Sequence, residues 1–558
     1  MQGPSIVVGI DFGTTFSGVA WAVEGSVDDV EVLSSWPGGG NRTSVKVPST
    51  ISYEGDKIQW GYQIGPLAEA CRGIKLLLDE DQHAAYTPSI ESRSLLTQYG
   101  VNPVDAAADY IKQLIREVKQ VLGRRFAISA EAQSLQFILT VPAVWSDKAK
   151  DATLRAALAA GITARDISLV SEPEAAALYA LRAIQPNSIA KGDVFTVCDA
   201  GGGTVDLISY QIKTLEPLCL VEVTKGTGSV CGSMLLDYRF EDLLRDRMGY
   251  DRYQLFPQRS KEAAITYWQE RVKPNYTGIF DDDFADVDYF IPVPGTTDDP
   301  DIPIEDGFFF LTNEDVEAIF EPSVEEVENL VAQQMVDIGK AGFSAKAIIL
   351  VGGFGSSEYL FNRLRMAHPK VTVMQPPNAW SAVVSGAVHR GLEGNKIESR
   401  IARRHYGTRY CTRYDPNRTY DSGCDKSWNE LEEEYQMDNL VHWYIKKSSS
   451  ISQHNPIRMS FYRAVRADNE ASLIFHQRLI FCNDDDAPAT ITKRVMTLCD
   501  MEADLRQIPR QLFTKQTNSK GIEYYKIPFT LVMTPTSASL LLELEFNGVS
   551  YGSVRTKY

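Results

Sequence analysis

The sequence predicts an α/β protein that ends in a mainly β part, on three observations. Short apolar runs alternate with helical stretches through the first half. One strand–turn–strand pattern occurs twice. Beyond residue 440 strand-like runs take over, closing on Asn547-Gly548, a type I′ hairpin signal. At 558 residues the chain exceeds a single hydrophobic core, so two to four domains are expected.

Taken in order, Ile6 to Ile10 is a strand that runs into Asp11-Phe12-Gly13-Thr14-Thr15 and out along Phe16 to Ala22. Val104 to Leu122 carries apolar residues at Ala107, Ile111, Leu114, Ile115 and Val118, a helical spacing. Phe137 to Val141 is a buried-strand candidate closed by Pro142. Ser146-Asp147-Lys148 then opens an alanine-rich helix that Gly161 ends. Ile167 to Val170 is a further strand, and Glu172-Pro173 starts another alanine-rich helix. Val194 to Cys198 leads into Asp199-Ala200-Gly201-Gly202-Gly203-Thr204, and Val205 to Ile212 leads away: the opening pattern again.

Phe280 to Asp306 is acidic and proline-containing and reads as a surface excursion. Thr312-x-x-Asp315 and Ser323-x-x-Glu326 both have capping-box form. Ala347 to Val351 is a strand running into Gly352-Gly353, with Ser356-Ser357-Glu358 starting the next helix. Residues 396–439 read as a linker, whose Arg400, Arg403, Arg404, Arg409 and Arg413 form a solvated basic stretch. Val441 to Ile445, Met459 to Ala464, Ser472 to Phe481, Phe529 to Met533 and Leu540 to Phe546 are the strand candidates of the β-rich domain, 440–558.

The repeated turn carries chemistry. Glycines let backbone approach a bulky anion, and threonine hydroxyls with exposed N–H groups donate to phosphate oxygens. An aspartate beside phosphate is repulsive unless a cation intervenes, so Asp11 and Asp199 point to hydrated Mg²⁺. Either copy alone reads as an ordinary hairpin with an Asx-type turn. Two copies favour a pair of loops gripping one polyphosphate between Thr14, Thr15 and Gly201, Gly202, Gly203, Thr204.

Composition narrows the partners. Lys plus Arg number 56 against 73 Asp plus Glu, a net charge of -17, which argues against a broad nucleic-acid surface. The eight cysteines lack zinc spacing and imply reduced thiols in the cytoplasm, with the nucleus as the alternative location. No signal peptide and no membrane span are expected. The seven histidines form no metal-spaced cluster, and lone ones such as His389 read as surface or packing residues.

Five blocks together resemble the DnaK-type, seventy-kilodalton heat-shock chaperones, in that family's order and over roughly residues 6–392. They are Val8 to Ser17; Thr140-Val141-Pro142-Ala143 with Ser171-Glu172-Pro173-Glu174-Ala175-Ala176-Ala177; Asp199 to Asp206; Val351 to Ser357; and Ser385-Gly386-Ala387-Val388. The resemblance implies an actin-like nucleotide-binding domain over 1–395. Its RNase-H-like lobes would be 1–190 and 191–370, with a return helix at 378–392 and ATP or ADP with Mg²⁺ between the lobes. It implies that Lys75, in Ile74-Lys75-Leu76-Leu77, is the catalytic lysine and that Glu172, Asp199 and Asp206 order the water and metal shell. Gly13, Gly232, Glu270, Lys273, Gly352 and Gly353 would join the nucleotide contacts. The pattern is broken at Pro274 and Ser356, where the family has arginines at its base end. It is broken also at Cys231, Trp380 and Lys150; the change at Ser356 means that Phe354 or another group would have to replace the arginine stacking on adenine.

Beyond 440 the likeness is to a degenerate substrate-binding β-sandwich, with no lid expected after Tyr558. The expected function is an ATP-binding, slowly hydrolysing chaperone-like protein with unfolded or regulatory protein clients. The alternative is an ATP-dependent scaffold with little turnover. A small-molecule kinase or an actin-like filament protein ranks behind both, since no sugar pocket with its own base is visible.

Overall fold

The computed structural model describes residues 5–40, 42–55, 57–79, 87–126, 134–184, 189–278, 288–296, 302–469, 473–538 and 540–557. The chain divides into two compact units, Met1–Lys396 and Ile397–Tyr558.

The first unit uses one strand plan twice. β1 (Ser5–Asp11), β2 (Phe16–Val23), β3 (Glu31–Val32), β4 (Ser134–Val141) and β5 (Ile167–Ser171) form a sheet in the order β3-β2-β1-β4-β5. β6 (Val194–Ala200), β7 (Val205–Leu215), β8 (Leu218–Glu222), β9 (Ala345–Val351) and β10 (Thr372–Met374) repeat it as β8-β7-β6-β9-β10. In each set the first two strands are antiparallel and the later two run parallel to the first. A further short strand pairs with the start of the second strand in both, Val47–Pro48 in one and Thr227–Ser229 in the other. Near-continuous apolar runs such as Val194 to Cys198 are what a strand covered on both faces requires.

The crossovers are helices, as parallel pairing demands. α1 (Pro103–Phe126) buries Ala107, Ile111, Leu114, Ile115 and Val118, the stripe read from the sequence. α2 (Asp147–Ala159) is capped by Ser146, whose hydroxyl accepts from the Ala149 N–H at 3.2 Å, and Gly161 follows it at φ +98°. α3 (Glu172–Ala183) packs against the late helix α6 (Ala382–Glu393) so closely that a Cβ on Gly386 would lie 1.7 Å from the Ala175 carbonyl oxygen.

α4 (Asn313–Lys340) begins with the expected capping box, its Thr312 and Asp315 exchanging bonds of 3.1 and 3.2 Å. Ser323 is not a second cap. The helix runs through Pro322, and the buried Ser323 hydroxyl accepts from Arg239 at 2.9 Å, so a side-chain partner replaces the N-terminal role. α5 (Glu358–Ala367) starts at Ser357, as read. The expected excursion 280–306 lies partly outside the described residues. Its described parts, Tyr289–Pro292 and Ile304–Glu305, build a small sheet with Phe308–Leu311.

The second unit has two sheets around one core. Asp425–Asn429, Glu434–Ile445, His405–Arg413, Ile474–Cys482, Met496–Asp504 and Arg555–Lys557 follow one another in the first. The second runs Ile457–Arg466, Glu523–Pro535, Leu540–Phe546, Val549–Ser553, with Thr514–Thr517 also paired to Glu523–Pro535. Met459, Phe475, Leu479, Ile527, Phe529 and Leu531 fill the space between them. Asn547 and Gly548 both have positive φ, 50° and 79°, as a type I′ turn needs.

Of the segment 396–439, expected as a solvated linker, residues 397–439 are instead built into this unit. Ile397–Ile401, His405–Arg413 and Asp425–Asn429 are strands. Arg400 is buried, Arg404 lies 4.6 Å over the Phe481 ring and Arg413 pairs with Glu434 at 3.2 Å. Arginines that alternate with apolar and β-branched residues satisfy a half-buried strand as well as a linker, because their stems pack while their heads pair.

Candidate functional site

The C-terminal ends of parallel strands are where α/β sheets present chemistry, and both strand sets of the first unit do so. Asp11 ends β1, Thr140 stands beside it near the end of β4, and Glu172 directly follows β5. Asp199 lies at the end of β6 with Asp206 opposite it on β7, and Gly352 directly follows β9. A duplicated frame therefore delivers one acidic turn from each copy.

The two turns meet. A Cβ added to Gly202 would stand 1.9 Å from Thr15 Oγ1, and one added to Gly203 would stand 2.5 Å from Thr14 Oγ1. Gly13 sits in the first turn, where a Cβ would meet the Phe16 carbonyl oxygen at 2.0 Å. The Gly201 N–H closes the second turn on the Thr204 carbonyl at 2.9 Å. Gly232 seats its own segment beneath that turn: its N–H donates to the Gly203 carbonyl at 3.1 Å, and the Met234 N–H to the Gly202 carbonyl at 2.9 Å. Gly352 covers Asp199, where a Cβ would come within 2.5 Å of Oδ1.

Four carboxylates, Asp11, Glu172, Asp199 and Asp206, are buried here with two ammoniums, Lys46 and Lys75. Lys75, on the turn Ile74–Leu78, bonds Glu172 at 2.5 Å and lies 5.5 Å from the Trp145 ring centre. Lys46 bonds Asp11 Oδ2 at 2.8 Å, while the Thr140 hydroxyl donates to Asp11 Oδ1 at 3.2 Å. The Val144 N–H donates to Asp206 Oδ1 at 3.2 Å. Burial is the main cause that holds the Asp199 carboxyl well above the usual range; Glu172, Asp11 and Asp206 push the same way and Lys46 opposes them. Burial likewise raises Glu172, to about 7, against the pull of Lys75. A cluster with four acids and two bases, in which Asp199 and Glu172 resist ionising, is poised for added positive charge.

The residues fit a polyphosphate with a divalent cation. The threonine side chains fill the space that the missing glycine side chains leave, the turn amides and hydroxyls are the donors such a group would need, and carboxylates stand beside them. Among the described residues no group of three or more His, Cys, Asp or Glu side chains is arranged to ligate a metal directly. Such a cation would keep most of its waters, as Mg²⁺ prefers.

At the other expected contacts the picture differs. Glu270 pairs with Arg42 at 2.6 Å and Lys273 with Asp237 at 2.7 Å. Beside the first pair lies an open pocket of about 410 Å³ lined by Pro66, Arg259, Glu262, Tyr267, Glu270 and Arg271. Phe354 is buried in the core against Phe320, so it offers no face to a base. Trp380 is 40% exposed, with its indole nitrogen 3.5 Å from where a Gly353 Cβ would be and its ring edge-on to Phe16. Lys150 reaches the Ala143 carbonyl at 3.5 Å.

Sequence reasoning gave Lys46 no role. Its signal was present: a lysine between Val45 and Val47, just before Pro48, is a charge set inside an apolar run. Thr140 belongs to the Thr140-Val141-Pro142-Ala143 motif, and nothing local in that motif marks it as a partner of Asp11.

No family model matches the chain. Among curated proteins it is 25% identical to heat shock 70 kDa protein 12A of Mus musculus over 509 residues, 73% of this chain and 72% of that protein. Heat shock 70 kDa protein 12B of Homo sapiens is 22% identical over 74% of this chain and 72% of its own length. The chaperone protein HscA homolog of Aliivibrio fischeri (strain MJ11) is 32% identical over 48% of this chain and 42% of its own. Likeness to these relatives, together with paired acidic turns on a duplicated frame, supports a divergent relative of the seventy-kilodalton heat-shock chaperones.

Proposed function

We propose that the first unit binds ATP and ADP, with Mg²⁺, where the turns 11–15 and 199–204 meet, and that it hydrolyses ATP slowly. The observation that carries this is the seating of Gly202 and Gly203 against Thr15 and Thr14, with Asp11 and Asp199 in one charged cluster. In this reading the two strand sets are RNase-H-like lobes, 1–190 and 191–370, closed by the return helix 378–392. The duplicated strand order supports it.

Thr14, Thr15, Thr204 and the 201–203 backbone would hold the phosphates. Asp11 and Asp199 would hold the hydrated cation, which when bound neutralises phosphate charge. Lys75, fixed by Glu172, offsets charge that develops on the transferred phosphoryl group, a preorganised electrostatic contribution. Glu172 exchanges its proton near neutral pH, which suits it to take one from attacking water. Gly232, Gly352 and Gly353 would line the site, and Trp380 would replace the missing arginine at the base end. Unfolded or regulatory protein clients would bind through the β unit 397–558, and nucleotide would shift the population of lobe arrangements to which that unit responds.

Calorimetric titration with ATP, ADP and GTP in the presence of Mg²⁺ tests the binding reading. Absence of binding by any of the three rejects it. Steady-state phosphate release, with and without an unfolded polypeptide, tests turnover. A second reading, an ATP-dependent scaffold with little hydrolysis, is favoured by the tight engagement of Lys75 with Glu172. Tight binding with no measurable release of phosphate selects it.

A further inference from the structure

Lys46 is held in place by its backbone. Its carbonyl accepts from the Ser44 hydroxyl at 2.7 Å and the Tyr62 hydroxyl at 3.0 Å. Just beyond it, Val47–Pro48 pairs with the start of β2, the Ser49 N–H donates to the Thr15 carbonyl at 2.7 Å, and the Ser49 and Ser17 hydroxyls bond at 2.8 Å. The lysine is thus tied to the first acidic turn through the residues that follow it. Its stem crosses Gly18, where an added Cβ would lie 3.6 Å from Lys46 Cγ, and its ammonium reaches Asp11 with both side chains almost wholly buried.

An ammonium and a divalent cation compete for the same carboxylate oxygen. Asp11 Oδ2 is taken by Lys46 and Oδ1 by Thr140, and Lys46 also draws on Asp199. We propose that Lys46 is the resident counter-ion of this site: in the nucleotide-free protein it occupies Asp11, keeps free divalent cations out, and gives up that oxygen only to a cation arriving with a nucleotide. The exchange step rests on the nucleotide reading, because phosphate oxygens are the new partner that the displaced ammonium needs. The exclusion of free cations does not rest on it. Competition of this kind is reciprocal, so removing the ammonium must raise the affinity for the metal.

Titration of the full chain with Mn²⁺, followed by electron paramagnetic resonance, reads this without turnover. The wild type without nucleotide is expected to leave Mn²⁺ free, and with ADP to take it up. Lys46→Met, which keeps the stem and loses the charge, should bind Mn²⁺ without nucleotide at least about tenfold more tightly than wild type, a coupling of ordinary size. Lys46→Arg should behave as wild type. A folded Lys46→Met that gains no affinity overturns the proposal, as does a wild type that binds Mn²⁺ equally with and without ADP. Should Lys46→Met not fold, Lys46→Gln and the paired wild-type titrations decide the matter. A wild type that takes up no Mn²⁺ even with ADP removes the exchange step and the nucleotide reading, whereas a gain in Lys46→Met would still uphold exclusion.

Discussion

Replacing Gly202 by alanine puts one methyl group where the two turns touch. The backbone there is open to an L residue, since Gly202 is not among the glycines with positive φ. Only the contact opposes the change. The new carbon would lie 1.9 Å from Thr15 Oγ1 and 2.9 Å from both Thr15 Cβ and Cγ2. Rotating Thr15 relieves the hydroxyl, but Cβ is fixed to the backbone, so the turns themselves must part to restore a contact of about 3.5 Å or more.

Overpacking of this sort costs about 1–3 kcal/mol, less roughly 0.4–1 kcal/mol gained by stiffening the unfolded chain. Misplacing a phosphate cradle by ~1 Å is expected to weaken nucleotide-dependent chemistry by about 10²-fold. Gly201→Ala is the control, since its added carbon meets only the Thr204 carbonyl, at 3.2 Å. Urea unfolding and nucleotide calorimetry on both variants give the answer. In the double variant Gly202→Ala/Thr15→Gly stability should return while affinity does not, because the Thr15 hydroxyl is gone. If Gly202→Ala unfolds and binds like Gly201→Ala, the turns are not in contact and the argument from their meeting fails.

Lys75→Met leaves Glu172 buried without its ammonium and should cost about 3–5 kcal/mol in urea unfolding, most of it recovered in Lys75→Met/Glu172→Gln. Single-turnover hydrolysis should fall about 10²- to 10³-fold in Lys75→Met with nucleotide binding kept; loss of binding instead would remove Lys75 from the chemistry. The Glu172 carboxyl is raised from 4.5 to about 7, so stability that is full below the lower value is lost as pH rises through the higher one. The loss is roughly 3 kcal/mol. Glu172→Gln should therefore gain on wild type by about that much between these two pH values, and a constant difference across the window rules the shift out. Nucleotide binding should quench Trp380 emission, an effect absent in Trp380→Phe. Trp380→Ala should bind about tenfold more weakly, as for loss of one base–aromatic stack; an unchanged affinity excludes it from the base site.

What the sequence could show of this site was set by locality. Asp11 to Thr15 and Asp199 to Thr204 announce themselves because a tight turn that meets an anion needs particular residues in consecutive positions. Ser146, Thr312 and Ser357 were legible as caps for the same reason. The pair Lys46–Asp11 joins residues 35 apart and Lys75–Glu172 residues 97 apart. No local pattern encodes such partnerships, and for Lys75 only likeness to a family suggested one. At 396–439 the error ran the other way. Polar and basic residues there suggested solvent, yet a strand with one face packed and the other solvated carries the same composition, and packing settled it. Ser323 failed because a capping-box sequence permits a helix start without requiring one: helix formers on both sides carried α4 through Pro322.

The duplicated frame also explains how charge is divided at the site. In the first copy Asp11 on β1 faces Gly18 on β2, and Lys46 lies against Gly18 from the short strand beyond. In the second copy Asp199 on β6 faces Asp206 on β7, and Asp206 faces Gly228 on the matching short strand. Equivalent positions therefore read Asp, Gly, Lys in one copy and Asp, Asp, Gly in the other. Glycine at the middle of the first row is what lets a lysine stem pass over the sheet to the acid. Glycine at the end of the second row leaves a pair of acids with no lysine from that row. Lys75 also comes from the first copy's side of the sequence, so both ammoniums stand with one turn and the closest backbone approaches with the other. A symmetric anion would gain nothing from such a division. A chain of phosphates with its cation toward one end would have two unlike ends to satisfy, and one copy bearing the counter-ions while the other bears two facing acids with no lysine in their row is an arrangement that would distinguish them.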